Sequence, residues 1–155
     1  MKLNKIFLVM LALILVSSIG IAVAEDVSVG GYTFTVPDGY NLVNTTDDLA
    51  SMQLDEKNAI SFATGVSDDI EAAKQNFLSQ GKELIEEETL DFDGTEVNLQ
   101  AFSTPGTDIK AYNYIVISDN GNFVITVATD NQDFDSSLES EDNPAKAIFD
   151  TLNVE

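Results

Sequence analysis

The chain is 155 residues long and carries 27 acidic against 7 basic side chains, a net charge of −20, with no histidine and no cysteine. Every base is a lysine. This inventory excludes Cys-His and Ser-His-Asp nucleophilic catalysis, histidine-bearing metal sites and arginine-clamped phosphoryl transfer, and so negative a field repels nucleic acid and anionic lipid.

The N-terminus reads as an export signal. Lys2 and Lys5 are its positive region, residues 6–16 its apolar core, and Ala22-Val23-Ala24 places small residues where a signal peptidase reads them. Cleavage after Ala24 removes residues 1–24, takes the net charge to −22, and leaves residues 25–155 as one α+β domain. The other reading is an uncleaved anchor, because residues 6–24 are just long enough to span a bilayer; only then would the chain touch a membrane. Without cysteine the exported chain has no disulfide and no lipid-modified N-terminal cysteine, so its stability comes from packing. Its apolar content and regular strand patterns set it apart from acid-rich disordered chains.

Val27-Ser28-Val29, Gly30-Gly31 and the alternation of Tyr32, Phe34 and Val36 with Thr33 and Thr35 predict a tight hairpin. Pro37-Asp38-Gly39 is a turn. A second strand pair follows at residues 49–54 and 58–64. Residues 68–80 predict a helix: Asp68 as N-cap, Glu71 three positions on, and Ile70, Ala73, Phe77 and Leu78 on one face. Four strands come next, at residues 84–92, 96–103, 111–118 and 122–129. Asp93-Gly94 and Asn120-Gly121 are two-residue hairpin signals, and residues 104–107 form a longer loop. Residues 130–142 are polar and acidic. Asn143-Pro144 opens a last helix with Ala145, Ile148, Phe149 and Leu152 on its buried side. The expected fold is α+β: an antiparallel sheet covered by two helices. Its expected core is Phe34, Phe62, Phe77, Val97, Ile115, Ile125, Ile148 and Phe149.

The opening YTFTVPDGY, the mid-chain helix, the four-strand meander and the closing NPAKAIFDTLNV resemble the PsbP-like and DcrB-like families of small exported proteins. In those families the proline-glycine turn is often followed by tryptophan; here Tyr40 stands in that place. The resemblance covers residues 27–154. It implies an α/β/α sandwich, an extracytoplasmic accessory role without established catalytic machinery, and no catalytic residue to carry over. The partner it implies is a protein or envelope component of unknown identity.

The residues leave a few candidate chemistries. Paired carboxylates acting on envelope glycans are the enzymatic alternative to a non-catalytic binding domain, but with so many acids some pair always lies at a suitable distance. No cofactor is called for except a possible calcium ion. Residues 91–96, Asp-Phe-Asp-Gly-Thr-Glu, begin like a calcium loop but lack its third acid and its terminal glutamate, and read better as a hairpin. Asp130, Asp133 and Asp135 are the ligands a calcium site would use in the acidic segment; the plain alternative is a solvated connector. Asn44-Thr45-Thr46 is an N-glycosylation acceptor in a predicted loop. Tyr32, Tyr40, Tyr112 and Tyr114 are either a sugar-stacking platform or cross-strand packing pairs. Tyr112 and Tyr114 are core if both faces of their strand are covered.

Overall fold

A computed structural model describes residues 25–155; the expected leader lies outside the described residues. Five strands come first: β1 (Asp26–Val29), β2 (Tyr32–Thr35), β3 (Asn41–Thr45), β4 (Leu49–Gln53) and β5 (Ala59–Thr64). Helix α1 (Ile70–Ser79) follows. Then come β6 (Glu83–Phe92), β7 (Thr95–Ser103), β8 (Lys110–Val116) and β9 (Phe123–Thr129), and finally α2 (Pro144–Thr151) and β10 (Asn153–Val154). The fold is mixed α+β, with antiparallel sheet and two helices among the described residues. No described helix is long and apolar enough to cross a membrane.

The first hairpin forms as its residues dictate. Val29 pairs with Tyr32, and Gly30 and Gly31 link them at φ +57° and +88°, the left-handed pair a type I′ turn requires. The strands do not, however, all join one sheet as expected. β1, β2 and β10 form a sheet of three; the other seven strands form a second, in the order β3-β4-β5-β9-β8-β7-β6. The physical reason is the apolar side of the hairpin. Val27, Val29, Tyr32 and Phe34 are buried in one cluster with Met52, Phe62, Leu99 and Ile125 of the large sheet. The hairpin therefore gains more by lying on a face than by extending an edge.

The large sheet closes by one crossover. After β5 the chain passes through α1 to the far edge, then returns as the meander β6-β7-β8-β9, so that β9 pairs with β5. Asp93-Gly94 makes the tight β6–β7 turn, with Asp93 at φ 48° and Gly94 at 83° and Phe92 opposite Thr95. Asn120-Gly121 does not make a two-residue turn: residues 117–122 all lie between β8 and β9. The Asn122 side chain is the cause. Its oxygen accepts from the Ser118 amide and its nitrogen donates to the Val66 carbonyl, which draws the connection out of the ladder.

Two apolar clusters divide the core. One contains Ala73 and Phe77 of α1 with Phe102, Ile115 and Val124; the other contains Ala145, Ile148 and Phe149 of α2 with Tyr112, Tyr114 and Ile125. Neighbours along one strand thus point to opposite clusters, as Tyr114 and Ile115 do, following the two-residue period. All eight expected core residues are buried. Asp69, not Asp68, caps α1, accepting from the Ala72 amide at 2.9 Å. That shift by one removes the expected capping box, and Glu71 pairs with Lys74 instead. At the other end the Gly81 and Lys82 amides bond the Leu78 and Phe77 carbonyls, a Schellman closure. Asn143 caps α2 as expected, accepting from the Ala145 amide at 3.0 Å.

Phe149 is 7% exposed and stacks near both Phe92 and Phe123. Phe149→Ala is expected to lower unfolding stability by about 3–5 kcal/mol, read from urea denaturation; a loss below about 0.5 kcal/mol would mean that α2 does not dock.

Candidate functional site

A groove of about 850 Å³ lies at one end of the large sheet. It is built from parts distant in sequence: the β6–β7 turn, the β8–β9 connection, the entry to α1, the end of α2 and strand β10. Phe92, Val116, Phe123, Phe149 and Leu152 make its floor. The floor is held by ring packing, with Phe92 and Phe149 centroids 5.1 Å apart. The β8–β9 wall is held by hydrogen bonds. Tyr32 donates its hydroxyl hydrogen to the Gly121 carbonyl at 2.6 Å, and the Gly65 amide donates to the Asn122 carbonyl at 3.2 Å. A groove pinned in this way is formed before anything binds.

Its rim is acidic. Asp68, Asp93, Glu96 and Asp119 stand around it, all exposed, and none forms an ion pair with a described residue. None of the lysines after residue 24 lines it. Four large apolar side chains are exposed among the described residues, Leu54, Ile85, Ile117 and Val154; Ile117 (42%) and Val154 (54%) are both in this groove. Nothing in the sequence marks these residues as a group, since they come together only through the crossover and the docking of α2.

The residues singled out from the sequence are placed elsewhere. Asp130 accepts from the Asn58 side chain at 3.2 Å and lies 3.9 Å from the Lys57 ammonium. Asp135 accepts from the Ser137 amide, and Asp133 is exposed. Each carboxylate has its own surroundings, and no three metal-ligating side chains gather among the described residues. The acidic segment packs against the sheet. Phe134 packs on Tyr112 with centroids 4.6 Å apart, Leu138 is buried, and the Ser136 hydroxyl donates to Glu86 at 2.7 Å. Residues 91–96 are the β6–β7 hairpin, whose Asp91 carboxylate accepts from the Gly94 amide. Asn44 lies in strand β3, not in a loop, yet its side chain is exposed. A bulge between Leu42 and Asn44 at this sheet edge turns it outward.

The tyrosines are not a platform. Tyr32, Tyr112 and Tyr114 are buried. Tyr114 donates to the Ser136 carbonyl at 2.8 Å and accepts from the Asn143 side chain at 3.0 Å. Burial pushes its hydroxyl well above the ordinary value of 10, against the Asn143 hydrogen bond and with help from the Glu86 charge. Burial also pushes Tyr40 up to about 12, with the Asp55 charge adding to it.

A second feature escaped the sequence. Ser51, Ser61, Thr126, Asn113, Gln100 and Glu87 are successive cross-strand partners, so one polar row crosses six strands. Thr126 donates to Asn113, and Gln100 donates to Glu87, which also pairs with Lys74 of α1. The Ser51 and Ser61 hydroxyls and the Gln100 side-chain oxygen have no partner among the described residues. The row ties α1 to the sheet by charge at one end.

Solved structures share this architecture. A cyanobacterial PsbP (CyanoP) from Synechocystis sp. PCC 6803 superposes with a TM-score of 0.56 at 16% identity, over 90% of this chain and 97% of that one. The fold is PsbP-like. A Bacteroides thetaiotaomicron VPI-5482 protein matches at TM-score 0.54 and 12% identity over 83% of this chain. The chain spans about half of that protein, 47%. No family model and no curated protein matches the sequence. At such identities the PsbP-like likeness concerns the fold alone.

Tyr114→Phe leaves the Asn143 side chain and the Ser136 carbonyl each short of a buried partner, and is expected to cost about 1–3 kcal/mol near neutrality. A raised folded-state pKa contributes stability that is complete below the unfolded value of 10 and lost as pH climbs past it. The urea midpoint of the unaltered protein should therefore fall above pH 10, and less steeply in Tyr114→Phe; identical slopes would contradict the assigned environment. For the acidic segment, calcium and ionic-strength-matched sodium chloride are expected to give coincident melting curves. A calcium-specific rise that Asp133→Asn removes would establish a site after all, since a ligand at 100 times its Kd adds about 2.7 kcal/mol.

Proposed function

We propose that the chain is a non-catalytic accessory or binding domain of the cell envelope, an α/β/α sandwich exported by the leader at residues 1–24. It acts through a surface and not through a reaction centre. The observation that carries this reading is the end groove, where exposed Ile117 and Val154 sit over an apolar floor within a ring of unpaired acids. Apolar side chains exposed together on a soluble domain mark a place where another molecule is bound. The PsbP-like fold and the resemblance in the sequence point the same way.

The residues present also favour binding over turnover. A glycosidase needs one carboxyl held protonated by its surroundings. The carboxyl shifts found in the structure run the other way. At Asp55 burial is outweighed by hydrogen bonds from Asn58 and Lys57, at Glu71 the Lys74 hydrogen bond dominates, and at Asp108 the Lys57 hydrogen bond does; all three are lowered.

Chemical cross-linking in cells expressing the full chain, followed by affinity recovery, tests the reading. A specific envelope protein or component should be recovered with the chain, and the chain's intact mass should begin at Glu25. Turnover of a cell-wall glycan that is abolished by a single Asp or Glu substitution would make the chain a hydrolase instead. Recovery of Met1 in a membrane fraction would make the leader an anchor.

A further inference from the structure

We infer that the end groove takes a segment of a partner protein in which lysine or arginine flanks an apolar anchor residue. This rests on the binding-domain reading and specifies the chemistry of its partner. Three observations converge on it.

The first is apolar. Ile117 and Val154 are exposed by 42% and 54% and line the same groove as Phe92 and Phe149. An inserted leucine or phenylalanine would remove both from water, and a pocket-filling side chain of this kind is the usual energetic centre of an interface. The second is electrostatic. Asp93, Glu96 and Asp119 rim the apolar floor with no lysine among the lining residues. Like charges gathered around a groove repel one another until an opposite charge arrives, so a cationic segment both steers to this end and relieves it. The third is preformation. Tyr32 holds Gly121, and Asn122 is bonded to Gly65 and Val66, so binding requires little ordering of the wall.

The same observations argue against other occupants. A lone divalent ion needs several oxygens converging on one point, whereas these acids sit on separate elements and no three of the described residues form such a group. An anionic lipid surface or a nucleic acid would meet the acidic rim with its own negative charge.

The test uses the full chain as the expressing cell exports it, with three fluorescein-labelled peptides of equal length. One alternates lysine with leucine and phenylalanine, one has glutamate for each lysine, and one has serine for each apolar residue. Fluorescence anisotropy should show the first binding at least about tenfold more tightly than the other two. Ile117→Ser and the pair Glu96→Gln with Asp119→Asn should each weaken that peptide about five- to tenfold. The pair Glu56→Gln with Glu139→Gln, outside the groove lining, should leave it unchanged; all of these positions are exposed, and thermal melting confirms folding. Equal weakening by both charge pairs would reduce the effect to the general field of the protein and overturn the groove. Equal binding of the lysine-apolar and lysine-serine peptides would remove the apolar anchor. If groove variants still recover the cross-linked cellular partner undiminished, the inference fails while the binding-domain reading stands. If no partner is recovered by any form and a glycan is turned over, both fail.

Discussion

The contact on which the rest depends is the aromatic cluster between the two sheets. Phe62 of the large sheet stacks with Phe123 at 5.0 Å and packs against Phe34 at 4.9 Å and Tyr32 at 5.8 Å. Phe123 in turn reaches Phe149 of α2 at 6.0 Å. Five rings thus fasten the small sheet, the large sheet and the last helix together, in a chain that has no cysteine to cross-link them. Such pairs contribute about 0.5–1.5 kcal/mol each beyond the area they bury. The cluster also sets where the surface features fall. Tyr32 carries its ring into the core and its hydroxyl to Gly121, so the residue that joins the sheets also fixes the wall of the groove.

Charge is distributed around this core in a way that follows from strand geometry. β6 is an edge strand and reads Glu-Leu-Ile-Glu-Glu-Glu-Thr-Leu-Asp-Phe. An edge presents unpaired backbone groups to any passing strand, and acidic side chains there discourage pairing with another copy. The opposite edge, β3, is protected differently, by a bulge and by two asparagines. The few lysines are used locally. Lys57 bridges toward Asp108 and Asp130, Lys74 joins Glu71 to Glu87, and Lys146 joins Glu141 to Asp150. The carboxylates of these pairs stay largely in water, where ion pairs contribute little to stability; among the described residues the acids of the groove rim have no lysine partner.

What the sequence reveals depends on the range of the interaction involved. Local signals were legible: Asn143-Pro144 starts a helix, Asp93-Gly94 turns a hairpin, and alternation in residues 96–103 and 111–116 marks strands. Where a distant group decides, the local signal misleads. Asn120-Gly121 has the composition of a tight turn, but the Asn122 side chain bonds Val66 from across the fold. β3 has only Leu42 and Val43 as apolar residues, and β10 is a two-residue strand with both positions exposed; each forms because a partner is already in place. The polar row from Ser51 to Glu87 draws one residue from each of six strands, and only the register lines them up. In residues 130–142 the dense acids are the conspicuous local signal, while the packing of the segment comes from the two apolar residues among them, Phe134 and Leu138.

The position of the groove follows from what the rest of the molecule has already used. One face of the large sheet contributes Phe102 and Val124 to the cluster with α1, and the other contributes Ile125 and Val127 to the cluster with α2 and the hairpin. One edge is acidic and the other is bulged. The end at which the chain enters from Gly65 and leaves through β10 remains, and there apolar residues cannot all be covered, because turns must satisfy their backbone groups before they can pack. Ile117 shows the conflict directly: it follows the buried Val116 on the strand, but it begins the connection that Asn122 pulls out of the ladder, and so it faces water. An apolar residue exposed by the geometry of a pinned loop, beside acids that no lysine neutralises, is a surface that stays unsatisfied in the isolated chain. Its complement in chemistry is a segment both apolar and basic, and of the 155 residues only the leader, with Lys2 and Lys5 ahead of an apolar run, combines the two in that way.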